Sequence, residues 1–423
     1  MFQRGFDITQ ASQRDGSYPV ISSSGITSHH DEFMASGPGV ILGRKGTVGS
    51  VHFSAEDYWP HDTTLWTKDL HGNDAKYVFY FLQTIDLKRF DVGNSNPTLN
   101  RNHIHDLPIQ IPSLDLQQRI ASILSAYDEL VENNRRRMAL LEEAARQLYR
   151  EWFVRLRFPG HEHTPLTNDL PRGWQRRRLA EIAEVNRASL PSTFDGEIEY
   201  VDITSVSPGH VDDTTTIEFR DAPSRARRAV RHGDVIWSCV RPGRRSHAII
   251  WLPPENLIVS TGFAVLSPTT VPTAFLYQAT TTDSFVGYLE ANAKGAAYPA
   301  VLAGDFERAE LIVPTIGLLA AFNDTCEPML TQLQNLSLQN KKLRAARDLL
   351  VASVSDIHDA LPDAVVTDDP DVAVLGTTRY QHLENGQYVP ESVYQTVLDT
   401  SPGDPPPTTG REAYERFVNA TYL

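Results

Sequence analysis

The stretch DLQQRIASILSAYDELVENNRRRMALLEEAARQLYREWFVR, residues 115–155, places apolar side chains at steps that alternate between four and three residues. This spacing is typical of an α-helical coiled coil. We predict one long helix over residues 113–158. Its length of about 60 Å, at about 1.5 Å per residue, is too great for an ordinary hairpin of core helices in a small domain. Its predicted seam residues are Leu124, Tyr127, Val131, Asn134, Met138, Leu141 and Leu148.

The same pattern returns 202 residues later, over residues 314–358. Pro112 and Pro314 have this offset, and so do Pro97 and Pro299. One offset shared by prolines and by a whole heptad phase indicates an internal repeat. The second predicted seam consists of Cys326, Met329, Leu333, Leu336, Asn340, Leu343 and Leu350.

The repeat extends upstream with a shift of seven residues, because Val40-Ile41 and Val235-Ile236 are 195 residues apart. We therefore predict an α+β fold with a pseudo-two-fold internal repeat. Two globular domains, residues 1–112 and 165–313, are separated by the two long antiparallel coiled-coil helices. An acidic, proline-rich tail, residues 359–423, completes the chain, with 367–376 and 401–410 expected as linker and 411–423 as a short helix.

Four residues interrupt the seams or helices. Asn134 and Asn340 are polar seam residues of the kind that fix helix register at a cost in stability. Arg347 is expected to extend to solvent at the end of its helix. Pro328 is expected to kink the second helix or to delay its start.

Charge and composition limit the classes of function. The net charge is −14 over 423 residues, but the segment after Ser355 holds twelve acidic residues and three arginines. Arginines instead concentrate between residues 176 and 245, which leaves room for a local phosphate-binding surface. With no run of eighteen apolar residues and no apolar leader, we expect a cytoplasmic protein with no membrane partner. Cys239 and Cys326 have no metal-ligand spacing, so we expect reduced thiols and no metal site.

The segment GRKGTVGSV, residues 43–51, raises the question of a nucleotide-binding loop. Lys45 precedes Gly46, which breaks the phosphate-loop pattern, and the flanking residues read as strand, turn and strand rather than strand and helix. We predict a β-hairpin whose tip carries Arg44, Lys45 and Thr47. A hairpin with solvated charges and no ligand remains the alternative.

In order along the chain, YPVISSSGITSHHDEF (18–33), GRKGTVGSVHF (43–53), NPTLNRNHIHDLPIQIPSLDLQQRIASIL (96–124) and LPRGWQRRRLAEIAEV (170–185) resemble the specificity subunit of type I restriction–modification systems. The resemblance covers about residues 4–358. The last of these stretches resembles the usual opening of the family's second recognition domain, and residues 1–8 have no counterpart of it. We therefore expect the first domain to be N-terminally short and to lack an edge strand.

The resemblance implies a non-catalytic subunit that binds double-stranded DNA. Each recognition domain would read one half of a split site, with helix length setting the gap between the halves. The implied partners are methyltransferase subunits, two per chain, and a restriction nuclease/translocase subunit. No cofactor is expected in this chain; the partners would use S-adenosylmethionine, ATP and Mg.

Candidate DNA contacts follow from base chemistry, since Arg and Lys suit guanine whereas Asn and Gln suit adenine. A coiled-coil interaction scaffold without DNA specificity is the competing hypothesis. For the asparagines, ordinary turn formation is the alternative, and for the 225–228 arginines we expect phosphate contacts that position without specifying. Besides the hairpin tip, the candidates are Asn94, Asn96, Asn100 and Arg101 in the first domain, and Arg225, Arg227, Arg228, Arg241, Arg244, Arg245 and Lys294 in the second.

Overall fold

The computed structural model describes residues 1–90, 98–105, 109, 111–295 and 298–360, and after these residues 365–366, 372–375, 378–382, 388–390 and 405–406. The side chains of His103 and of residues 355–404 lie outside this description. The chain divides into two compact units: Met1–Asn133 with Gln339–Leu423 (unit 1), and Asn134–Leu338 (unit 2). Each unit therefore contains one globular domain and one part of each long helix.

Unit 1 contains two small sheets and two helices ahead of the long one. Its strands are β1 (Phe2–Arg4), β2 (Tyr18–Ser22), β3 (Gly25–His30), β4 (Gly39–Gly43), β5 (Val51–Ser54), β6 (Trp59–Pro60) and β7 (Thr64–Thr67). They form an antiparallel sheet in the order β1-β7-β4-β5 and a mixed sheet in the order β3-β2-β6. The helices are α1 (Ala75–Thr84), α2 (Arg101–His105) and the long α3 (Leu114–Tyr149), which continues into a π-helical turn (Arg150–Val154).

Unit 2 repeats this arrangement with additions. Its strands are β8 (Leu166–Thr167), β9 (Leu170–Pro171), β10 (Gln175–Arg178), β11 (Ala183–Val185), β12 (Glu197–Val201), β13 (Val206–Ser207), β14 (His210–Val211), β15 (Thr215–Glu218), β16 (Ala226–Ala229), β17 (Val235–Ser238), β18 (His247–Ile249), β19 (Leu257–Ser260), β20 (Phe263–Pro268) and β21 (Glu310–Val313). The helices are α4 (Thr273–Thr280), α5 (Asp283–Asn292), α6 (Ala303–Arg308) and the long α7 (Ile316–Ala360).

Sheet order demonstrates the internal repeat. The order β11-β20-β17-β18 in unit 2 matches β1-β7-β4-β5 in unit 1, strand for strand and with the same antiparallel pairing. The second sheet, β15-β12-β19-β16, matches β3-β2-β6 and adds β16 at its edge. In each unit, one pair of strands in this sheet is parallel: β2 with β6 in unit 1, and β12 with β19 in unit 2. The predicted α+β repeat of two globular domains with long helices is confirmed.

Burial on both faces defines the central strand of each unit. Val40 and Leu42 of β4 belong to a core cluster with Leu82 of α1, whereas Ile41 belongs to a second cluster with Ile21 of the other sheet. Unit 2 shows the same alternation in β17, where Val235 and Trp237 face one cluster and Ile236 faces another. Because successive side chains of a strand point to opposite faces, such a strand must be covered on both sides.

The long helices pack against each other in an antiparallel sense within each unit. In unit 1, Leu124 of α3 shares a cluster with Val351 and Val354 of α7. In unit 2, Tyr149 and Phe153 meet Phe322 of α7, with ring centroids 6.2 Å and 5.0 Å apart. Every predicted seam residue is buried or half-buried, and Asn134 and Asn340 are among the buried ones.

The structure corrects two expectations about α7. The helix is continuous through Pro328, so this proline does not delay its start, while the expected kink stays a prediction. Arg347 does not extend freely to solvent: its Nη1 lies 2.5 Å from Oδ1 of Asp128 on α3, and Tyr80 Oη donates to Oδ2 of the same carboxylate at 2.6 Å. The Asp128 carboxylate faces the seam and attracts the Arg347 guanidinium toward it. Heptad position alone does not reveal this ion pair.

The expectation of a missing edge strand in the first domain is wrong for the counterpart of β11, which is present, and stays a prediction for the counterpart of β10. β1 pairs with β7 as β11 pairs with β20, so this edge is occupied. Pairing partners rather than residue similarity decide where a strand lies, and this is why the sequence comparison overlooked β1. The strand β10 pairs with β21 in unit 2. By the 202-residue offset, β21 corresponds to residues 108–111, of which 108 and 110 are outside the described residues.

The segment expected to be linker contains strands. β22 (Val365–Val366), β23 (Val372–Leu375), β24 (Thr378–His382) and β25 (Tyr388–Pro390) form an antiparallel sheet in chain order. The linker interpretation of 367–376 is therefore wrong at 372–375, where short β-branched runs favour strand despite the acidic, proline-rich surroundings. The predicted terminal helix, 411–423, and most of 401–410 lie outside the described residues.

We predict that Arg347→Ala lowers the melting temperature of the full chain by about 2–4 °C. Asp128 loses a partner in a half-buried position, which corresponds to about 1 kcal/mol after allowance for solvent screening. Arg119→Ala is the matched control, because its ion pair with Asp115 (3.0 Å) lies on the exposed face of α3. Thermal unfolding of the three proteins measures the effect, and equal shifts in both variants would contradict it.

A second prediction concerns His247 of β18, which packs on Trp237 with ring centroids 4.6 Å apart. Burial, and after it the positive charges of Arg245, Arg146 and His210, lower the pKa of His247 from 6.5 to about 4. Below pH 6.5 the unfolded chain takes up a proton that the folded chain does not. The free energy of unfolding should therefore fall as the pH drops from 6.5 to 4, by up to about 3 kcal/mol.

The measurement is thermal unfolding of the wild type and of His247→Gln between pH 7.5 and pH 4.5. The melting temperature of the wild type should decline more steeply with falling pH than that of the variant. Comparing slopes removes the cost of the substitution itself and the titration of all other groups. Parallel curves would show that His247 titrates normally in the folded chain.

Candidate nucleic-acid interface

The loop of residues 44–50 in unit 1 connects β4 to β5 and closes on itself through main-chain hydrogen bonds. The Gly43 N–H donates to the Ser50 carbonyl oxygen (2.7 Å), and the Gly49 N–H donates to the Gly43 carbonyl oxygen (2.9 Å). A β-carbon on Gly43 would lie 2.1 Å from the Thr47 carbonyl oxygen, so this close approach requires glycine. The predicted hairpin has this loop, rather than a two-residue turn, at its tip.

The three predicted residues of this loop differ in exposure. Lys45 and Thr47 are exposed, whereas Arg44 is half-buried. Desolvation, and after it the nearby charge of Arg4, lower the pKa of Arg44. A partly desolvated guanidinium next to a second positive charge favours an anion as neighbour, and Asp62 supplies part of that negative charge.

A second segment joins this loop from the residues just before α2. The Leu99 N–H donates to the Arg44 carbonyl oxygen (2.9 Å), and Lys45 forms a β-bridge with Thr98. The predicted contacts Asn100 and Arg101 follow directly and are exposed. The structure thus brings two of the predicted stretches together, while Asn94 and Asn96 lie outside the described residues.

Unit 2 contains an equivalent contact between a loop and a second segment, and we call this contact the junction of each unit. The loop 239–246 connects β17 to β18, and the Val301 N–H donates to the Cys239 carbonyl oxygen (2.9 Å). Cys239 follows Arg44 by 195 residues and Val301 follows Leu99 by 202, so this bond is the repeat counterpart of the bond in unit 1. The seven-residue difference between the two offsets is therefore accommodated between these segments.

Backbone conformation distinguishes the two loops. Gly46 and Gly49 have φ of +78° and +80°, which glycine adopts without strain. In the second loop, Arg241, which follows Gly46 by 195 residues, and Arg245 have φ of +50° and +57°. A side chain in this left-handed region costs about 1–2 kcal/mol. Two arginines therefore stand where the fold favours glycine.

The arginines of unit 2 have different surroundings. Arg245 forms an ion pair with Asp283 at the start of α5. Arg225 forms one with Asp202 and donates from Nε to Tyr200 Oη (3.2 Å). Arg227 lies over the Phe219 ring at 4.3 Å, and Arg228 is half-buried.

One of the remaining basic residues, Arg241, lies over an aromatic side chain. Arg244 and Lys294 are exposed, and the Arg241 guanidinium lies 4.7 Å from the ring centre of Tyr298. Tyr298 is 70 % exposed and was not among the predicted contacts. The 202-residue offset could have found it, because it relates Tyr298 to the candidate Asn96.

Asp7, His61 and Asp62 form a further cluster in unit 1, since their ligand atoms lie within 4.8 Å of one another. Arg4 Nη2 lies 2.9 Å from Asp62 Oδ2. The guanidinium supplies the positive charge that a cation would otherwise bring, so the cluster is explained as an ion-pair network.

No helix among the described residues is both long and apolar enough to cross a membrane. The long helices carry charged residues along their exposed faces, as expected of helices that meet water and protein.

Comparison with known proteins finds similar sequences in one family. Residues 4–143 match the model of the type I restriction modification DNA specificity domain. The chain is 23 % identical over 330 residues to the type I restriction enzyme MjaIX specificity subunit of Methanocaldococcus jannaschii, covering 74 % of this chain and 75 % of that one. It is 24 % identical over 152 residues to the MjaVIII specificity subunit of the same organism, covering 34 % and 32 %.

A protein of known structure has a similar fold. The S subunit of a type I restriction–modification system from M. genitalium superposes with a TM-score of 0.55 at 16 % identity, covering 84 % of this chain and 93 % of that one. The duplicated domains, the paired long helices and these comparisons agree with one another. The chain is similar in sequence and in fold to the specificity subunits of type I restriction–modification systems.

Proposed function

We propose that this chain reads a split site on double-stranded DNA, with the globular domain of each unit binding one half of the site. The chain itself performs no catalysis. By binding its site, it directs methylation and restriction by partner subunits in the cytoplasm.

The main observation in support of this proposal is that the same kind of junction occurs in both units. In each unit, a loop between an inner strand and the adjacent edge strand of an antiparallel sheet is hydrogen-bonded to the segment that precedes a short helix, α2 or α6. Exposed basic residues gather at both junctions: Lys45 and Arg101 in unit 1, and Arg244 and Lys294 in unit 2. Two similar binding surfaces on one chain suit a site with two separated halves.

The charge distribution supports the same proposal. The net charge of −14 includes the strongly acidic segment after Ser355, while the junctions are locally basic. Phosphate contacts require local positive charge, and base contacts require guanidinium, ammonium or amide groups at a groove. An increase in ionic strength should therefore weaken DNA binding steeply, since each phosphate that the protein neutralises releases counterions on binding.

The partners follow from the similarity to these specificity subunits and not from contacts in this structure. We propose two methyltransferase subunits per chain, which use S-adenosylmethionine, and a nuclease/translocase subunit, which uses ATP and Mg. This chain would hold none of these cofactors itself. The exposed faces of the long helices offer surface for such subunits.

Methylome sequencing with and without the gene tests the proposed function. Loss of methylation at one split motif, on deletion of this gene alone, is the expected result. An unchanged methylome in cells with active methyltransferase subunits would overturn the proposal. It would favour instead an interaction scaffold without DNA specificity.

We predict that Lys45→Ala and Arg44→Ala affect one half of the split site and leave the other half unchanged. Loss of a base contact should relax one position by about 10- to 100-fold in preference, whereas loss of a phosphate contact should weaken all sites alike and reduce the salt dependence. Binding of the assembled methyltransferase complex to a duplex library, at two salt concentrations, separates these results.

Lys68→Ala is the matched control, because Lys68 is an exposed lysine next to the end of β7 that lies away from the loop. It removes the same charge from the same sheet. If Lys68→Ala and Lys45→Ala changed affinity and selectivity equally, the loop would have no special role in binding.

A further inference from the structure

A short 3₁₀ turn of unit 1, Leu87–Phe90, packs against the loop of residues 44–50. We call it the 87–90 turn, and it begins three residues after the end of α1. A β-carbon on Gly49 would lie 3.2 Å from the β-carbon of Leu87, so glycine at this loop position permits the close approach. A third segment therefore lies beside the junction of unit 1.

These three segments share one apolar cluster. Val48 of the loop, Leu87 of the turn and Leu99 before α2 are all buried in it, together with Ile104 of α2. Closely packed apolar side chains leave the backbone that carries them little freedom to move. The exposed residues next to these anchors therefore extend from fixed points around one cluster.

Each of the three segments carries positive charge near its buried anchor. The exposed basic residues within three positions of an anchor are Lys45 in the loop, Lys88 and Arg89 in the turn, and Arg101 at the start of α2. The Arg89 guanidinium lies 4.7 Å from the ring centre of Phe90. Asp86 ends in a capping role, since its Oδ1 accepts a hydrogen bond from the Lys88 N–H at 3.2 Å. Neither Lys88 nor Arg89 was among the predicted contacts.

Unit 2 has an equivalent segment in α5, which begins three residues after the end of α4. It also packs against its loop, because a β-carbon on Gly243 would lie 2.1 Å from Oε1 of Glu290. Its buried residue Phe285 shares a cluster with Val301, the repeat counterpart of Leu99. The 87–90 turn and α5 therefore occupy the same place in their two domains.

The charge of this segment is reversed between the two units. Helix α5 presents Asp283 and Glu290 to its loop, and Asp283 forms an ion pair with Arg245. The 87–90 turn presents Lys88 and Arg89 instead. One loop is thus partly neutralised by its neighbour, whereas the other gains positive charge from it. A duplex beside the loop of unit 1 would bring phosphates, which carry the negative charge of DNA, to these two cations.

We propose that Lys88 and Arg89 bind phosphates of the DNA backbone beside the half-site read by unit 1. This inference rests on the proposed function and deepens it. The two residues position the duplex against the loop and specify no base, because phosphates are the same at every position.

The test measures how salt weakens the binding of a duplex that carries the split motif. The protein is the full chain assembled with its methyltransferase subunits. Between about 50 and about 200 mM salt, Lys88→Ala/Arg89→Ala should lose about tenfold less affinity than the wild type, since each phosphate contact contributes about 0.9 to the salt slope. The methylated motif should stay unchanged. An unaltered salt dependence, or a relaxed preference at any base, would overturn the proposal.

Two further variants separate the turn from net charge. Lys68→Ala/Arg119→Ala is the matched control, because it removes one exposed lysine and one exposed arginine of unit 1 that lie outside the three segments. It should keep the salt dependence of the wild type, and an equal change in this control would overturn the proposal. Lys88→Arg/Arg89→Lys should also keep that salt dependence, because phosphate contacts survive an exchange that retains both charges.

Neutral phosphates locate the contact on the duplex. Replacement of single phosphates by methylphosphonates should weaken binding of the wild type, but not of Lys88→Ala/Arg89→Ala, at one or two positions beside a single half-site. The same sensitive phosphates in both proteins would overturn the proposal. Wild-type binding without preference for the split motif would contradict the proposed function, whereas motif-specific binding with an unaltered salt dependence in the variant contradicts this inference alone.

Discussion

Two-sided burial of one strand in each unit is the constraint on which the rest of the structure depends. β4 and β17 alternate their side chains between two core clusters, so each needs a covering layer on both faces. A helical layer supplies one cover and a second sheet supplies the other. The end of this strand is then fixed in three dimensions, and the loop that follows it emerges from a rigid base.

Periodicity made the helices and the central hairpins predictable from the sequence, because both depend on local patterns. Heptad spacing located the seams, and the run at residues 40–42 located β4. The pairing of Arg347 with Asp128 and the strand β1 were missed because each depends on a partner distant in sequence. The strand at 372–375 pairs with the next strand along the chain and was missed because of its acidic, proline-rich surroundings. Of the candidate site, the loop residues were predictable from charge, whereas Tyr298 was missed although the internal repeat relates it to the candidate Asn96.

The two loops show how one backbone accommodates different residues. Glycines at the left-handed positions of unit 1 leave the basic side chains to Arg44 and Lys45, outside those positions. Unit 2 places arginines at the left-handed positions themselves and compensates with contacts to Asp283 and Tyr298. The same shape therefore presents positive charge from different points of the loop, and this difference is expected if the two units recognise different bases.

The hydrogen bonds from Leu99 to Arg44 and from Val301 to Cys239 join main-chain atoms only. Neither bond depends on the identity of the side chains at its two ends. Loop residues can consequently be exchanged by single substitutions while the junction keeps its geometry, and the cost of each exchange is limited to its own contacts. A scaffold of this kind can acquire new preferences stepwise during evolution, one side chain at a time, without passing through an unfolded intermediate variant.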